Sequence, residues 1–326
     1  MTLSHLGMKC SYRGEFVAAE LMRTHPPVLR DRNKQLVHEL AMAGPAPAGT
    51  LTVTRWDAQP ATLELAATER IVMPGYYDYA GDPAGVWHVN FADPVLFFAY
   101  GSRLLAQDEL QCCEHPALGS VKEALDAAKL VARTEEGGRP TPILISGVER
   151  RCTLDTAPAL EAGRPYGLYG NRFATATPDQ VQRAVRLHRP PPTSNLIAIA
   201  APRGSGTYTR PQLDYILTAA FTGFAAAVAE SARIWPGVPC EVRTGFWGCG
   251  AFGGSRELMT LLQLLAARCA GVARVRFYAF DDPGRAEYMA GVRALDEVLA
   301  ANDRDLDALL ERIADRDYAW GVSNGT

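Results

Sequence analysis

The sequence predicts an α/β protein whose mostly parallel or mixed sheet is covered by helices on both faces. Short apolar or alternating runs, typical of strands, are interleaved with longer segments of helical period along most of the chain. A glycine-rich turn follows one of these strands and leads into an apolar helix and a further strand, which is a βαβ pattern. With 326 residues, 48% of them hydrophobic, the chain is long enough to bury a sizeable core.

The beginning of the chain predicts a separate helical part. Apolar residues are spaced among charged ones over the first 43 residues, and a stretch rich in proline, alanine and glycine follows at 44–49. We therefore expect a helical accessory segment with a linker at 1–50 and a larger α/β domain at 51–326.

Within the larger domain, alternating and apolar runs predict strands at 51–56, 86–91, 143–148, 195–200, 241–244 and 272–280. Helical periods predict helices at 104–113, at 121–131, from residue 210 onwards and after the glycine-rich turn. The segment between 148 and 195 ends in three prolines and is too long for an ordinary connection. Such excursions often carry function.

Composition excludes several classes of partner and site. The 33 Lys and Arg nearly balance the 36 Asp and Glu, so no strong field favours nucleic acid or an acidic membrane, and a small ligand is expected. The seven cysteines and six histidines lack the spacing of a disulfide framework or a zinc site. We expect no metal and no cofactor. Because neither a signal peptide nor about 18 uninterrupted apolar residues are present, we expect a cytoplasmic protein.

The most specific motif is the glycine-rich turn at 244–254. It has five glycines in ten residues between a predicted strand and a predicted helix. Glycines let backbone amides approach a ligand closely, and a helix N-terminus favours an anion, so the turn predicts a phosphate or diphosphate site. On glycine content alone, a tight turn without a ligand is an equal alternative.

A second motif is the pair of adjacent carboxylates Asp108 and Glu109, at the start of a predicted helix. Acids at a helix start are commonly surface residues that match the helix dipole. The neighbouring thiols Cys112 and Cys113 are expected to act as small buried hydrophobic residues.

Both motifs resemble those of the poly(ADP-ribose) glycohydrolases. The run W-G-C-G-A-F-G-G at 247–254, followed by an apolar helix containing Gln263, is similar to the stretch before that family's last long helix. The run V-N-F-A-D at 89–93 resembles a strand end in the family, and Gln107-Asp108-Glu109 resembles its acidic triplet at the same distance. The resemblance implies a macrodomain-like three-layer α/β/α sandwich with a mixed sheet.

The resemblance also implies roles for individual residues. Glu109 corresponds to the catalytic carboxylate, with Asp108 beside it, while Asp93 and Asn90 are expected near the ribose. The resemblance further predicts ligand contacts for Gln107, Gly248, Gly250, Ala251, Phe252, Tyr166 at a tyrosine clasp, and Phe280 against adenine. From burial alone, the two aromatic residues Tyr166 and Phe280 are equally well explained as loop or core packing.

The chain departs from the family at several places: Asn90, Asp93 and Asp108 stand where the family has Asp, Asn and Glu. Phe97, Phe98 and Ala99 stand where the family has three glycines, and Phe246 stands where it has asparagine. If the two phenyl rings face the cleft, they occupy the space of a diphosphate.

Three functions therefore compete. The first is hydrolysis of ADP-ribose conjugates, with an ADP-ribosylated protein as a further partner. The second is hydrolysis of a different NAD-derived or nucleotide-ribosyl small molecule, which the two phenylalanines favour. The third is non-catalytic ADP-ribose binding, which does not require Glu109.

Overall fold

The computed structural model describes residues 7–130, 132–301, 305–323 and 325. Its strands are β1 (Cys10–Val17), β2 (Thr50–Trp56), β3 (Glu69–Met73), β4 (Val86–Ala92), β5 (Glu135–Glu136), β6 (Arg139–Pro140), β7 (Ile143–Glu149), β8 (Cys152–Leu154), β9 (Val185–Leu187), β10 (Thr193–Ala200), β11 (Glu241–Gly245) and β12 (Arg274–Tyr278). Its α-helices are α1 (Ala18–Thr24), α2 (Arg32–Met42), α3 (Gln107–Glu114), α4 (Ala117–Ala127), α5 (Pro178–Ala184), α6 (Arg210–Ile234), α7 (Arg256–Cys269), α8 (Asp282–Ala300) and α9 (Leu306–Ala314).

The main sheet is mixed, as predicted. Its eight strands lie in the order β1-β2-β7-β10-β4-β11-β12-β3. The strands from β10 to β3 pair in parallel, whereas β1, β2 and β7 form an antiparallel side that joins β10. The carboxyl ends of β4, β10 and β11 therefore meet at one edge of the sheet, which is where ligands bind in open α/β sheets.

Helices cover both faces of the sheet, which confirms the three-layer prediction. Side chains alternate along β10, so that Ile197 and Ile199 join the core under α6, α7 and α8. Leu196 and Ala198 join a second core on the opposite face, with α1 and α4. The central strands are apolar on both faces, and this is why they were recognisable in the sequence.

The longest helix, α6, is a core helix. Among the described residues it is the one helix that is long and apolar enough to cross a membrane, but 72% of its apolar window is buried inside the protein. It begins at a capping box, in which the Thr209 amide donates to Gln212 Oε1 at 2.9 Å, and Pro211 lies in the first turn.

The prediction of helix throughout the first 43 residues was wrong at 10–17. There the chain forms β1, an edge strand paired antiparallel with β2. Cys10, Tyr12 and Phe16 alternate with more exposed residues at the strand period of two, and the interleaved charges hid this pattern. Helices α1 and α2 confirm the rest of the prediction. Residues 1–6 lie outside the described residues, and the domain division at residue 50 stays a prediction.

Other differences are smaller. The sequence also missed strand β3, and the helix predicted at 121–131 is α4, which starts four residues earlier; Val131 lies outside the described residues. The strand predicted at 272–280 ends at Tyr278, so Phe280 lies beyond it with a φ of 62°. The long excursion before β10 contains the paired strands β8 and β9, a 3-10 helix at Gly170–Thr175, and α5.

Candidate active site

The acid pair lies at the start of α3, next to the carboxyl end of β4. Asp108 is buried, and Glu109 is 4% exposed. The amide of Ala106 donates to Glu109 Oε2 at 2.9 Å, so the side chain folds back over the helix N-terminus. Burial, together with the neighbouring Glu109 carboxyl, raises the pKa of Asp108 well above its usual value. Burial also raises the pKa of Glu109, against the opposing positive charge of Lys34.

Gln107 holds α3 to the sheet. Its Nε2 donates to the Val89 carbonyl at 3.1 Å, and its Oε1 accepts from the Phe91 amide at 2.8 Å. The side chain thus continues the hydrogen bonding of β4 in place of a neighbouring strand. Gln107 also lines a small space beside Phe252, which agrees with the ligand contact that the sequence predicted for it.

Asn90 and Asp93 lie on either side of this junction. The Asn90 side chain is buried, and its Nδ2 donates to Asp108 Oδ1 at 2.8 Å and to Gln111 Oε1 at 2.9 Å. Asp93 accepts from the Val95 amide at 3.1 Å and forms an ion pair of 3.2 Å with Arg203. Asn90 is therefore coupled to the acid pair, while Asp93 shapes the loop that follows β4.

The two phenylalanines of this loop do not fill the cleft. Phe97 is fully buried in the core beside Leu96 and Tyr100, with a φ of 51°, in the left-handed region that favours glycine. Phe98 is 69% exposed. The amides of Phe98 and Tyr100 donate to carbonyls within the turn. The Phe97 ring thus lies on the core side of the turn, and the Phe98 ring faces solvent. In the described chain neither ring lines the cleft, so neither occupies the space of a diphosphate there.

The glycine-rich turn forms the opposite wall. Gly248 has a φ of 75°, and a Cβ atom there would lie 2.6 Å from the Ala201 side chain, so a larger residue does not fit. The amides of Gly248, Gly250, Ala251 and Phe252 donate to no protein acceptor within the part of the chain that the structure describes. Unpaired amides before the N-terminus of α7 suit an oxyanion.

Two arginines stand at this wall. The Arg203 guanidinium lies 4.6 Å from the centre of the Phe252 ring, and that of Arg256 lies 4.8 Å from the centre of the Phe246 ring. Neither arginine was predicted from the sequence. Their position next to the unpaired amides adds positive charge where an anion is expected.

Phe246 and Phe280 contribute an aromatic region. Phe246 is buried against Phe277, with ring centres 5.1 Å apart, and lies 6.3 Å from Phe280. The Phe280 ring is 37% exposed and packs edge-on against Tyr76 at 5.1 Å. An exposed ring beyond its strand is available to a ligand, unlike a core strand phenylalanine.

Tyr166 does not lie in the cleft. Its ring is 71% exposed and packs against Arg172 on a separate surface of the excursion. Tyr169, three residues later, lines the cleft instead. Its ring lines the same small space as Ala106 and Gln107, and burial, followed by the Glu109 charge, raises the pKa of Tyr169. The position of Tyr166 therefore does not support the ligand contact predicted for it, and the aromatic clasp stays a prediction.

The cleft between these walls has a volume of about 850 Å³. Its lining includes Tyr169, Phe246, Gly250, Arg256 and Phe280. A smaller space beside Phe252 adjoins Ala106 and Gln107, just before the acid pair. A further cavity of about 210 Å³ shares Tyr76 and Phe280 with the cleft and continues past Tyr77, Tyr79 and Arg150. The cleft is thus large enough for a dinucleotide-sized ligand.

The described residues contain no group of three or more His, Cys, Asp or Glu side chains arranged to hold a metal ion. Ala106 and Gln107, which directly precede the acid pair, line the same small space as Gly248, Gly250 and Phe252. The arrangement is therefore suited to binding an anion next to a buried proton donor.

Part of the chain is similar to a known protein family. Residues 165–287 match the family model described as "Poly (ADP-ribose) glycohydrolase (PARG), Macro domain fold". Similar solved structures include the PARG of Thermomonospora curvata, at 17% identity, with 86% of this chain and 85% of that one covered and a TM-score of 0.39. The PARG of Deinococcus radiodurans in complex with ADP-ribose is 12% identical, with 87% and 94% covered and a TM-score of 0.40. The segment at 165–287 is thus similar to the PARG family.

Proposed function

We propose that the chain is a poly(ADP-ribose) glycohydrolase-like hydrolase that cleaves a ribosyl glycosidic linkage of ADP-ribose conjugates. One observation carries the proposal: a buried carboxyl pair, Asp108 and Glu109, starts α3 beside a cleft whose glycine-rich turn has amides without an acceptor among the described residues. The acid pair precedes the family match at 165–287, so its role is argued from geometry and chemistry.

The diphosphate of the ligand is assigned to the turn from Gly248 to Phe252. Its amides are free to donate, and Arg203 and Arg256 supply positive charge. The adenine is assigned to the aromatic region at Phe280. This placement directs the far ribose towards Ala106 and Gln107, and so towards the acid pair.

Glu109 is the acid and base of the reaction. Its raised pKa keeps a proton on the carboxyl closer to neutral pH than an exposed glutamate would. That proton goes to the leaving oxygen as the bond to the anomeric carbon breaks through an oxocarbenium-like state. A water molecule then adds to this carbon and returns a proton to Glu109, so one water is consumed and two hydroxyl groups are formed. Asp108 and Asp93 are proposed to orient the ribose hydroxyls.

Two other functions were open from the sequence. A different ribosyl small molecule was favoured by Phe97 and Phe98, but one ring is buried in the core and the other faces solvent, which removes that reason. A binding module has no need of a buried carboxyl pair with raised pKa values. The observations therefore support the glycohydrolase best.

The experiment is an assay of the purified chain with poly(ADP-ribose) and, separately, with a mono-ADP-ribosylated protein. Chromatography measures the release of free ADP-ribose. We expect release from the polymer. A folded protein that binds ADP-ribose by calorimetry but releases none from either substrate would instead be a binding module.

The setting of the reaction is also a proposal. We infer that the chain acts in the cytoplasm, in the context of NAD metabolism, with ADP-ribosylated proteins as partners. All seven cysteines are free thiols, which agrees with a reducing compartment. Fractionation of cells expressing the chain would test the location.

A further inference from the structure

Lys34 is the one buried lysine of the chain. The sequence has four lysines, at positions 9, 34, 122 and 129, and the other three are partly or fully exposed. Lys34 is 1% exposed, and within the described residues no carboxylate oxygen lies within 4.0 Å of its Nζ. Burying an ammonium without a carboxylate partner is unfavourable, so its presence calls for a compensating role.

The ammonium of Lys34 fastens the turn after β4. Its Nζ donates to the Tyr100 carbonyl at 2.8 Å and reaches the Ala99 carbonyl at 3.5 Å. These carbonyls end the turn that carries Phe97 and Phe98. Lys34 therefore connects α2, in the N-terminal part of the chain, to the loop that leads into α3.

The preceding residue, Asn33, binds a second loop, the segment that follows Tyr169. Its Nδ2 donates to the carbonyls of Phe173 at 2.8 Å and Ala176 at 3.0 Å, in the segment that follows Tyr169. Successive residues of α2 thus hold the two loops on either side of the start of α3. The Asp31 carboxylate caps α2 by accepting from both of their amides, at 3.0 and 3.1 Å.

We propose that Lys34 is a positioning residue for the acid pair: its buried ammonium holds the turn at 97–100 that leads into α3, and it supplies positive charge beside α3, where it lines one small cavity with Cys112 and Cys113. The proposal rests on the proposed function, because it assigns Lys34 to the same reaction. It also extends the site to a segment of the chain more than seventy residues before Glu109.

Electrostatics support this assignment. The charge of Lys34 lowers the pKa of Glu109, in opposition to burial, and it acts in the same direction on Asp108. When Glu109 releases its proton, a negative charge forms near the ammonium, which stabilises it. The titratable or charged groups around Lys34 and Glu109 are Asp31, His38, Asp93, Tyr100, Asp108, Cys112, Cys113, Glu114 and Tyr169.

Three variants distinguish the effect of the Lys34 charge from the effect of the hydrogen bonds that α2 makes to the loops. Lys34→Gln keeps a donor for the Tyr100 carbonyl but removes the charge, and Lys34→Arg keeps the charge. Asn33→Ala removes uncharged bonds from the same turn of α2. The measurement is the pH dependence of kcat for poly(ADP-ribose) hydrolysis, with cooperative thermal unfolding as the check of folding.

Activity should fall at high pH as Glu109 loses its proton. Removing the nearby positive charge raises the pKa of Glu109, so this alkaline limb should move to higher pH by about one unit or more in Lys34→Gln. Lys34→Arg and Asn33→Ala should leave the alkaline limb of the pH profile at the same pH as in the wild type, even if they lower the maximal kcat. A folded Lys34→Gln variant with the wild-type limb would overturn the proposal.

A measurement on the unaltered chain decides the case even if Lys34→Gln does not fold. With ¹⁵N-labelled lysine, the Lys34 Nζ resonance should shift as Glu109 titrates, and the shift should vanish in Glu109→Gln. The other three lysines serve as controls in the same spectrum, and Lys34→Arg assigns the resonance by removing it. If the Lys34 resonance responds to the titration of Glu109 but the chain does not hydrolyse the polymer, the proposed function alone is contradicted. Hydrolysis with a Lys34 resonance unaffected by Glu109 contradicts the positioning role alone.

Discussion

Asn90 Nδ2 lies 2.8 Å from Asp108 Oδ1, and this hydrogen bond joins the centre of the sheet to the start of α3. The same amide group also donates to Gln111 Oε1 at 2.9 Å. Both acceptors are buried, so Asn90 satisfies two polar groups that solvent does not reach. The position of the acid pair therefore depends on one amide of β4.

Asn90→Ala should reduce the free energy of unfolding by about 1–3 kcal/mol, because it leaves buried acceptors without a donor. Urea denaturation measures the change. The control is Asn171→Ala, which removes an exposed bond to the Gly325 carbonyl and should change stability by less than about 0.5 kcal/mol. Equal stabilities of the two variants would show that the Asn90 bonds contribute little.

Phe97 and Phe98 should respond in opposite ways to truncation. Phe97→Ala should lower stability by about 3–5 kcal/mol because it removes a ring from the core. Phe98→Ala should change it by less than about 0.5 kcal/mol and leave ADP-ribose affinity unchanged. Calorimetric titration and urea denaturation check both. Tighter ADP-ribose binding by Phe98→Ala would mean that its ring does obstruct the cleft.

If the two phenyl rings faced the cleft, a triple-glycine variant at 97–99 would raise ADP-ribose affinity. With Phe97 buried, the same variant should instead be strongly destabilised, since the core loses a phenyl ring and glycine adds chain entropy to the unfolded state. Its thermal unfolding midpoint should fall well below that of Phe98→Ala. A variant as stable as the wild type would contradict the burial of Phe97.

Phe252→Ala and Phe280→Ala should each weaken ADP-ribose binding by about 1–3 kcal/mol, a range taken from base stacking on aromatic side chains. Isothermal titration calorimetry gives the affinities. Tyr166→Ala is the matched control and should bind as the wild type does, because its ring lies away from the cleft. If affinity were lost with Tyr166 and kept without Phe280, the placement of the ligand would be wrong.

The sequence predicted the central strands and the chemistry of the two motifs because both are local properties. Buried parallel strands are apolar on both faces, and the glycine-rich turn and the acid pair occupy short runs of sequence. Strand β1 was missed because charged residues, Arg13 and Glu15, stand at two exposed positions of this half-buried edge strand.

Side-chain direction was harder to predict, because it depends on packing between distant segments. Phe97 turns inward because the core under α4 accepts it, and Tyr169 faces the cleft while Tyr166, three residues before it, does not. Lys34 reaches the site through α2, and nothing in its local sequence indicates this. The position of Arg203 and Arg256 near the site could have been predicted from the sequence. Arg203 lies within a few residues of the end of β10, and Arg256 lies within a few residues of the glycine-rich turn.

The acid pair should make stability depend on pH. A carboxyl whose pKa is raised in the folded state stabilises the protein below its unfolded pKa, and this contribution is lost as the pH rises through the folded pKa. Asp108→Asn removes that loss while Asn90 keeps an acceptor. The variant should therefore gain stability relative to the wild type as pH increases from 5 to 8, by about 1.4 kcal/mol for each pH unit between 5 and the pKa of Asp108 in the folded protein.

Urea denaturation of both proteins at pH 5 and pH 8 measures this difference. Titration of the histidines is common to both proteins and cancels. A difference in stability that is the same at both pH values would show that Asp108 titrates normally in the folded protein.

The most direct measurement of the central claim compares Glu109→Gln with the wild type in two assays. The amide keeps the shape of the side chain but cannot donate and recover the proton, so release of ADP-ribose from the polymer should be abolished. Calorimetric affinity for ADP-ribose should remain within about tenfold of the wild type. Retained hydrolysis by Glu109→Gln would contradict the assignment of Glu109 as the acid and base.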